Sequence, residues 1–412
     1  MALQRLRSVA LGRHSATLTV VVWRRHQPVA FERHRPLHSC DMTITDSNPF
    51  IYSRPIGPDE IIDRNDETLK LLTDAVGGHY VRLYAPRKYG KTSLLKRALR
   101  DGEKSEGLIP IHVDLYRVTS LADVAIRFER AYSQHLKGAI RKRVEDFLQK
   151  TQIGLSLGAY GISAKLQLNS KTDPLPALHA LLDLPTKLEA SGGYRAYIAL
   201  DEFQDVDKIP DLDGLIRSHI QYHGDVASYV FAGSEPGLMR QLFENKNRPL
   251  YGSAVPMRLA RLADTDIADY VTERFKQTKR SVGEALRPFL ESAQGHPQRA
   301  MLLAHRLWEE VAKGETATLE SWASAHDAAL AELEAEFGAQ WRGYNVNEQK
   351  TLRAIVTGEG SPYQASVLSR LELTKDEVKW AIPRLEAVAD VETVERKRVI
   401  VDPLLGEWIK RI

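Results

Sequence analysis

Leu83–Leu95 reads L-Y-A-P-R-K-Y-G-K-T-S-L-L. A short apolar run, His79–Tyr84, has the look of a strand. It enters a loop ending Gly90-Lys91-Thr92, and Thr92–Arg100 then follows a helical pattern. The alternation continues on both sides. Asn65–Val76 reads as a helix capped by Asn65 or Asp66, with Leu69, Leu72 and Val76 on one face and Gly77-Gly78 as its stop. Ile109–Leu115, Tyr197–Leu200 and Tyr229–Ala232 read as strands, Val255–Leu259 as a fifth, and Leu121–Gln149 as helical. Strands alternating with helices predict an α/β fold: a parallel sheet covered on both faces, three layers deep.

The chain has 412 residues, room for two to four domains. With 43% hydrophobic and 27% charged residues it has the composition of a soluble globular protein. The formal charge of +3 is uneven: residues 1–40 hold seven Arg and one Glu, so the other 372 residues sum to −3. Total charge therefore gives no argument for nucleic-acid binding. Cys40 is the only cysteine, which excludes an intrachain disulfide framework and fits a reducing cytoplasm. The apolar run Ala16–Trp23 is too short to cross a bilayer, and Arg24-Arg25 stands where a signal peptide would be cleaved. Residues 1–48 are expected to be a disordered tail or an extension upstream of a start at Met42. An Arg-rich organelle presequence is the alternative.

Three regions follow. Residues 49–260 hold the sheet, with an insertion over about 150–170. There Ile153–Leu168 alternates apolar and polar residues like a β-hairpin, either a decorated loop or a partner-binding flap. Residues 261–338 are helical, with no evident strand. In residues 339–412, Glu348–Val356 and Tyr363–Leu371 read as helices. A third starts at Thr374 with Glu377 completing a capping box. Val378, Ile382, Leu385 and Val388 should form its buried face, with a kink or early end at Pro383. Strands Val391–Val394 and Val399–Val401, joined by Glu395-Arg396-Lys397-Arg398, would complete a winged helix.

The loop carries chemistry. Successive backbone N–H groups at a helix N-terminus neutralise phosphate charge. In a phosphate loop the last glycine lets the backbone approach, the lysine reaches the terminal phosphates, and the hydroxyl ligates Mg²⁺. Gly90, Lys91 and Thr92 fill those places, and Ala85 stands at the first-glycine position. Ala85, Pro86, Arg87, Lys88, Tyr89, Gly90, Lys91, Thr92 and Ser93 are the candidate nucleotide-binding residues. Asp201-Glu202 ends an apolar strand, where carboxylates face the ligand crevice of such a sheet. Asp201 is a candidate Mg²⁺ ligand beside Thr92, and Glu202 a candidate general base. Gly233-Ser234 ends the next strand. Ser234 is a candidate sensor of the terminal phosphate, or part of a plain turn.

These motifs resemble the archaeal-type ATPases of the STAND/AAA-like P-loop superfamily. Supporting landmarks are Ile61-Ile62-Asp63-Arg64, Pro249-Leu250-Tyr251-Gly252 and Gly295-His296-Pro297, and the resemblance covers roughly residues 49–412. It implies an AAA-like P-loop NTPase core with strand order 5-1-4-3-2, a helical lid and a C-terminal winged helix. It also implies ATP and Mg²⁺ as ligands, ATP hydrolysis, and a nucleotide state that controls a conformational or assembly change. Arg299, just after Gly295-His296-Pro297, becomes a candidate lid contact to the terminal phosphate. The family has arginine after Pro-Leu-Tyr-Gly; here Ser253 stands there, and Arg248 is the nearby substitute for a contact to a neighbouring copy in a homo-oligomer. Lys375, Lys379 and Arg384 on the third helix, with Arg396, Lys397 and Arg398 at the wing, are candidate DNA contacts. Docking of a protein partner is the other use of such a module. A signalling switch with slow or no hydrolysis is the alternative to a hydrolysing motor.

Overall fold

In the computed structural model, which describes residues 47–136, 138–150 and 173–412, five strands form one parallel sheet. They are β1 (Val81–Tyr84), β2 (Ile109–Asp114), β3 (Ala196–Asp201), β4 (Ala227–Gly233) and β5 (Val255–Arg258), ordered β2-β3-β4-β1-β5. Read from the other edge, this is the expected 5-1-4-3-2. β3 and β4 are buried along their whole length, as a sheet covered on both faces requires. Residue alternation assigns the faces. Ile198 and Leu200 of β3 join Tyr229 and Phe231 of β4 in one apolar core. Tyr197, Ala199, Val230 and Ala232 join the other.

The second core is covered by α1 (Asn65–Val76) and α2 (Lys91–Glu106). The first is covered mainly by α3 (Leu121–His135), α5 (Leu175–Leu182), α6 (Leu184–Gly192), α7 (Leu212–Ile220) and α8 (Pro236–Glu244), with α4 (Gly138–Lys150) at its margin. This is the P-loop NTPase α/β fold. Two local expectations are corrected. The helix expected over Leu121–Gln149 is two helices, because Leu136 is extended and Gly138 takes a left-handed φ of 54°. On α1 the buried stripe is Thr68, Leu71 and Ala75, while Leu69 and Val76 face solvent. Ala75 presents only a methyl, and its carbonyl accepts a 2.7 Å hydrogen bond from the Ser228 hydroxyl of β4. The expected hairpin at Ile153–Leu168 lies outside the described residues.

After β5 come α9 (Asp264–Gln277), α10 (Leu286–Ala293), α11 (Pro297–Glu309) and α12 (Leu319–Gly343). Then follow α13 (Val346–Thr357), α14 (Ala365–Arg370), α15 (Lys375–Ala387), an antiparallel hairpin of β6 (Val391–Val394) and β7 (Lys397–Ile400), and α16 (Pro403–Arg411). One apolar core runs through both groups: Phe289, Leu303 and Phe337 share it with Leu352, Leu385, Ile400 and Trp408. The Thr374–Glu377 capping box is present. The helix it opens runs on through Pro383 to Ala387. Pro383 is exposed, so water can meet the Lys379 carbonyl left without its helical donor. Val388 is exposed rather than buried, lying one residue past the end of α15. The turn between β6 and β7 is only Glu395-Arg396, both left-handed at φ 48° and 69°, and Lys397 and Arg398 belong to β7. The sequence reading did not foresee α16, which starts at the N-cap Asp402 with Pro403 in its first turn. No helix among the described residues is long and apolar enough to cross a membrane.

Candidate active site

The loop after β1 is held to the sheet at its start. Ala85 is fully buried, and its N–H donates to the Gly233 carbonyl at the end of β4, 3.3 Å away. The methyl that replaces the expected glycine hydrogen therefore sits in the core beneath the loop. Gly90 caps α2 at φ 86°; no atom would crowd a Cβ there, so the left-handed backbone sets the preference for glycine. Lys91, Thr92 and Ser93 form the first turn of α2, where backbone N–H groups lack helical acceptors and the helix dipole favours an anion.

Two polar pairs close over this turn. The Lys91 ammonium, almost wholly buried, lies 3.5 Å from a carboxylate oxygen of Glu202. The Thr92 hydroxyl donates to Asp201 Oδ2 over 2.7 Å. Burial alone would raise the Asp201 carboxyl, but His112 beside it, the charge of Lys91 and the Thr92 hydrogen bond together hold it below the usual carboxylate range. His112 Nε2 stands 3.5 Å from Asp201 Oδ2, an electrostatic approach rather than a well-made hydrogen bond. Asp201 is thus ionised at neutral pH, an oxygen ligand of the kind Mg²⁺ prefers.

Glu202 takes a left-handed φ of 52° where β3 breaks into a turn of 3₁₀-helix, Phe203–Lys208. Its Oε2 accepts hydrogen bonds from the Ser234 hydroxyl at 2.7 Å and the Gln204 amide at 2.6 Å. The Gln204 carbonyl in turn accepts from the Ser234 backbone N–H at 3.2 Å. Gln204 is a residue that sequence reasoning missed. It reaches across from the end of β3 to the end of β4, and no spacing in the sequence signals this. The crossing also explains Gly233. A Cβ there would meet Met239 Sδ at 2.5 Å and Gln204 Oε1 at 2.8 Å.

The structure therefore brings Lys91, Thr92, Asp201, Glu202 and Ser234 together. Arg299 is placed differently. It is fully buried, and its guanidinium pairs with Asp402 at the start of α16, Nε lying 2.9 and 3.0 Å from the two carboxylate oxygens. It is not among the residues lining the cleft over Lys91. Arg248 is bound to Asp207 and Asp213 of its own chain at 2.6 and 2.9 Å, and the Ser253 hydroxyl to the Leu250 carbonyl.

The loop's middle residues point outward to later elements. Arg87 pairs with Glu235 at the start of α8 over 3.2 Å, and Lys88 with Glu336 of α12 over 2.6 Å. The buried Tyr89 ring meets His296 edge-on at 4.9 Å, and its hydroxyl lies 3.4 Å from Glu392 of β6. Glu392 is also held by Arg258 and Arg261 at 2.5 and 2.8 Å. His296 caps α11, its Nδ1 accepting the Arg299 N–H, and burial pushes its pKa down to about 3, so it is neutral.

The cleft has a volume of about 340 Å³. Its lining holds Lys91, Thr92 and Glu202 with the polar Ser53, Arg54, Arg64, Arg87 and Lys88. It also holds Ile51, Ile56 and Ile61 of the segment before α1, together with Leu262, Pro297 and Met301. That segment is pinned to the helical region: Phe50 lies in its core, and His305 hydrogen-bonds the Phe50 carbonyl at 2.7 Å.

Known structures bear out the fold. The Walker-type ATPase of Pyrococcus abyssi matches with a TM-score of 0.64 at 18% identity, over 87% of this chain and 99% of that one. The ORC2 protein of Aeropyrum pernix, in its ADPNP-ADP complexes, matches with a TM-score of 0.56 at 14% identity, over 87% of this chain and 96% of that one. The chain shares their fold. No family model and no curated protein matches it.

Proposed function

We propose that this chain binds ATP with Mg²⁺ at the turn Gly90–Ser93 and hydrolyses it. The observation that carries the reading is the pairing across the sheet, Thr92 to Asp201 and Lys91 to Glu202, at a free helix N-terminus. The hydroxyl of Thr92 and the ionised carboxylate of Asp201 are hard oxygen donors 2.7 Å apart, and they fit a divalent cation. Bound there, Mg²⁺ would neutralise charge developing on the phosphate oxygens.

The protein's own part follows from the contacts. A triphosphate competes with Glu202 for the Lys91 ammonium. Once released from Lys91, Glu202 is still oriented by Ser234 and Gln204 through Oε2, with Oε1 free to take a proton from the attacking water. Lys88 and Tyr89 carry the state of the loop to Glu336 of α12 and Glu392 of β6, the basis for control of a conformational or assembly change. A cytoplasmic site of action and assembly into a homo-oligomer belong to the same proposal.

The wing supplies a partner surface. Lys375, Lys379, Arg396 and Lys397 are exposed, as is Trp380, while Arg384 and Arg398 lie 3.5 and 3.3 Å from Glu348 and Glu386. Duplex DNA is the partner proposed for this face. The second reading, a slow switch that docks a protein, is favoured by Glu202 being fully engaged in the present arrangement.

ATP binding and turnover of the wild type, Lys91→Ala and Glu202→Gln, with and without duplex DNA, test these readings. Hydrolysis by the wild type that is lost in Glu202→Gln with binding retained is expected. A wild type that binds no ATP overturns the proposal. A wild type that binds ATP but turns over no faster than Glu202→Gln favours the switch.

A further inference from the structure

Gln298 lines the cleft, in the first turn of α11 directly after Pro297. Its amide nitrogen donates to the backbone carbonyl of Tyr52 over 3.4 Å. Tyr52 is itself fixed: its hydroxyl donates to Glu332 at 3.0 Å, and its ring meets His305 edge-on at 5.0 Å. The contact to a carbonyl settles which way the amide faces, because only the NH₂ group can donate. The amide oxygen is left buried without a partner. Among the described residues, no other residue lining this cleft has a buried side-chain polar atom in that condition.

A buried acceptor without a donor carries its desolvation penalty in full, and a ligand that brings a donor removes it. The lining of the cleft includes the apolar side chains of Ile51, Ile56, Leu262 and Met301, which suit a planar ring. We infer that Gln298 reads the base of the nucleotide, accepting a hydrogen bond from the exocyclic amino group of adenine. Hypoxanthine and guanine carry a carbonyl at that ring position. With either base two acceptors face one another, and the oxygen of Gln298 stays unsatisfied. Selectivity for the aminopurine is therefore set at the second residue of α11. This inference rests on the nucleotide-site reading above and adds the base to it.

The test compares ATP with inosine triphosphate, which differs at that one substituent and the adjoining ring nitrogen. In the wild type, ATP should bind on the order of tenfold to a hundredfold more tightly. Gln298→Leu should bring the ratio close to one by weakening ATP alone, and Gln298→Lys, which puts a donor where the acceptor was, should reverse it. Competition by inorganic tripolyphosphate should be unchanged in both variants, which separates loss of base reading from loss of the fold. A wild type that binds ATP and inosine triphosphate equally overturns the inference and leaves the nucleotide site standing. So does an undiminished preference in Gln298→Leu. A wild type that binds neither nucleotide overturns both.

Discussion

Lys91, in the first turn of α2, and the cations of α15 and the β6–β7 hairpin are placed in opposite ways. Lys91 is buried and meets a carboxylate whose other oxygen is held by two further groups. Lys375, Lys379, Arg396 and Lys397 stand in solvent on one helix and one hairpin. A buried, geometrically fixed charge acts on one ligand in one pose and is expensive to leave unpaired. Exposed charges act additively, at a distance, and are weakened by salt. The first arrangement suits chemistry on a defined substrate. The second suits a polyanion gripped at its backbone.

The sharpest way to break this comparison is at Glu202. Glu202→Gln keeps the shape of the site, so turnover should fall by about 10²–10⁴-fold with ATP binding retained. Single-turnover hydrolysis and equilibrium binding measured together check it; equal losses in both would mean that the carboxylate only holds Lys91. Next in size is Gly233→Ala. The added methyl would lie 2.5 Å from Met239 Sδ and would displace Gln204 from Ser234. Thermal denaturation should show a loss of about 1–3 kcal/mol, with turnover reduced as Gln204 lets go of Glu202.

On the β6–β7 hairpin, the proposal of duplex DNA as partner predicts smaller effects that depend on salt. Lys397→Ala should weaken duplex DNA binding a few-fold and lower the slope of log affinity against log salt by about one. A salt titration followed by fluorescence anisotropy reads it, and an unchanged slope would remove Lys397 from the contact surface. Arg396→Gly should weaken DNA binding similarly while raising stability by about 1 kcal/mol, because a left-handed backbone suits glycine better than arginine.

The smallest effect is one of pH. Burial raises the Asp390 carboxyl to about 6, even though Tyr344, Gln340 and Arg87 favour its charged form. A carboxyl raised on folding binds its proton more tightly in the native state. Its contribution to stability is fully present below the ordinary carboxylate pKa and is lost as pH rises through about 6. Asp390→Asn should therefore gain stability relative to wild type between pH 5 and 7 in paired melting curves. A constant difference across that window would mean that Asp390 is not raised.

The sheet was legible in the sequence because its signals are local. Apolar runs of strand length, a loop ending Gly-Lys-Thr and a strand ending in two carboxylates each lie within a dozen residues. Strand order needed more, and it came from the family resemblance rather than from periodicity. What stayed hidden depends on distant partners. Gln204 acts across to Ser234, Gln298 is oriented by Tyr52, and Arg299 is claimed by Asp402 more than a hundred residues later. On α1, Leu69 and Val76 looked like the core face by size alone. The helix instead turns Thr68, Leu71 and Ala75 inward, with Ala75 against β4. Closing helix α16 did have a signal, Asp402-Pro403 before Leu404, Leu405, Trp408 and Ile409, an N-cap followed by an apolar face.

Tyr89 has a consequence that runs in both directions. It belongs to the loop after β1, yet its hydroxyl lies 3.4 Å from Glu392 on the hairpin. Free energies of coupling are reciprocal. A nucleotide that repositions Tyr89 and loosens the hairpin commits the molecule to the converse. Whatever seizes the hairpin and draws Glu392 away must change the affinity for that nucleotide by the same factor. A titration of nucleotide at saturating DNA and a titration of DNA at saturating nucleotide would then have to close the same thermodynamic square.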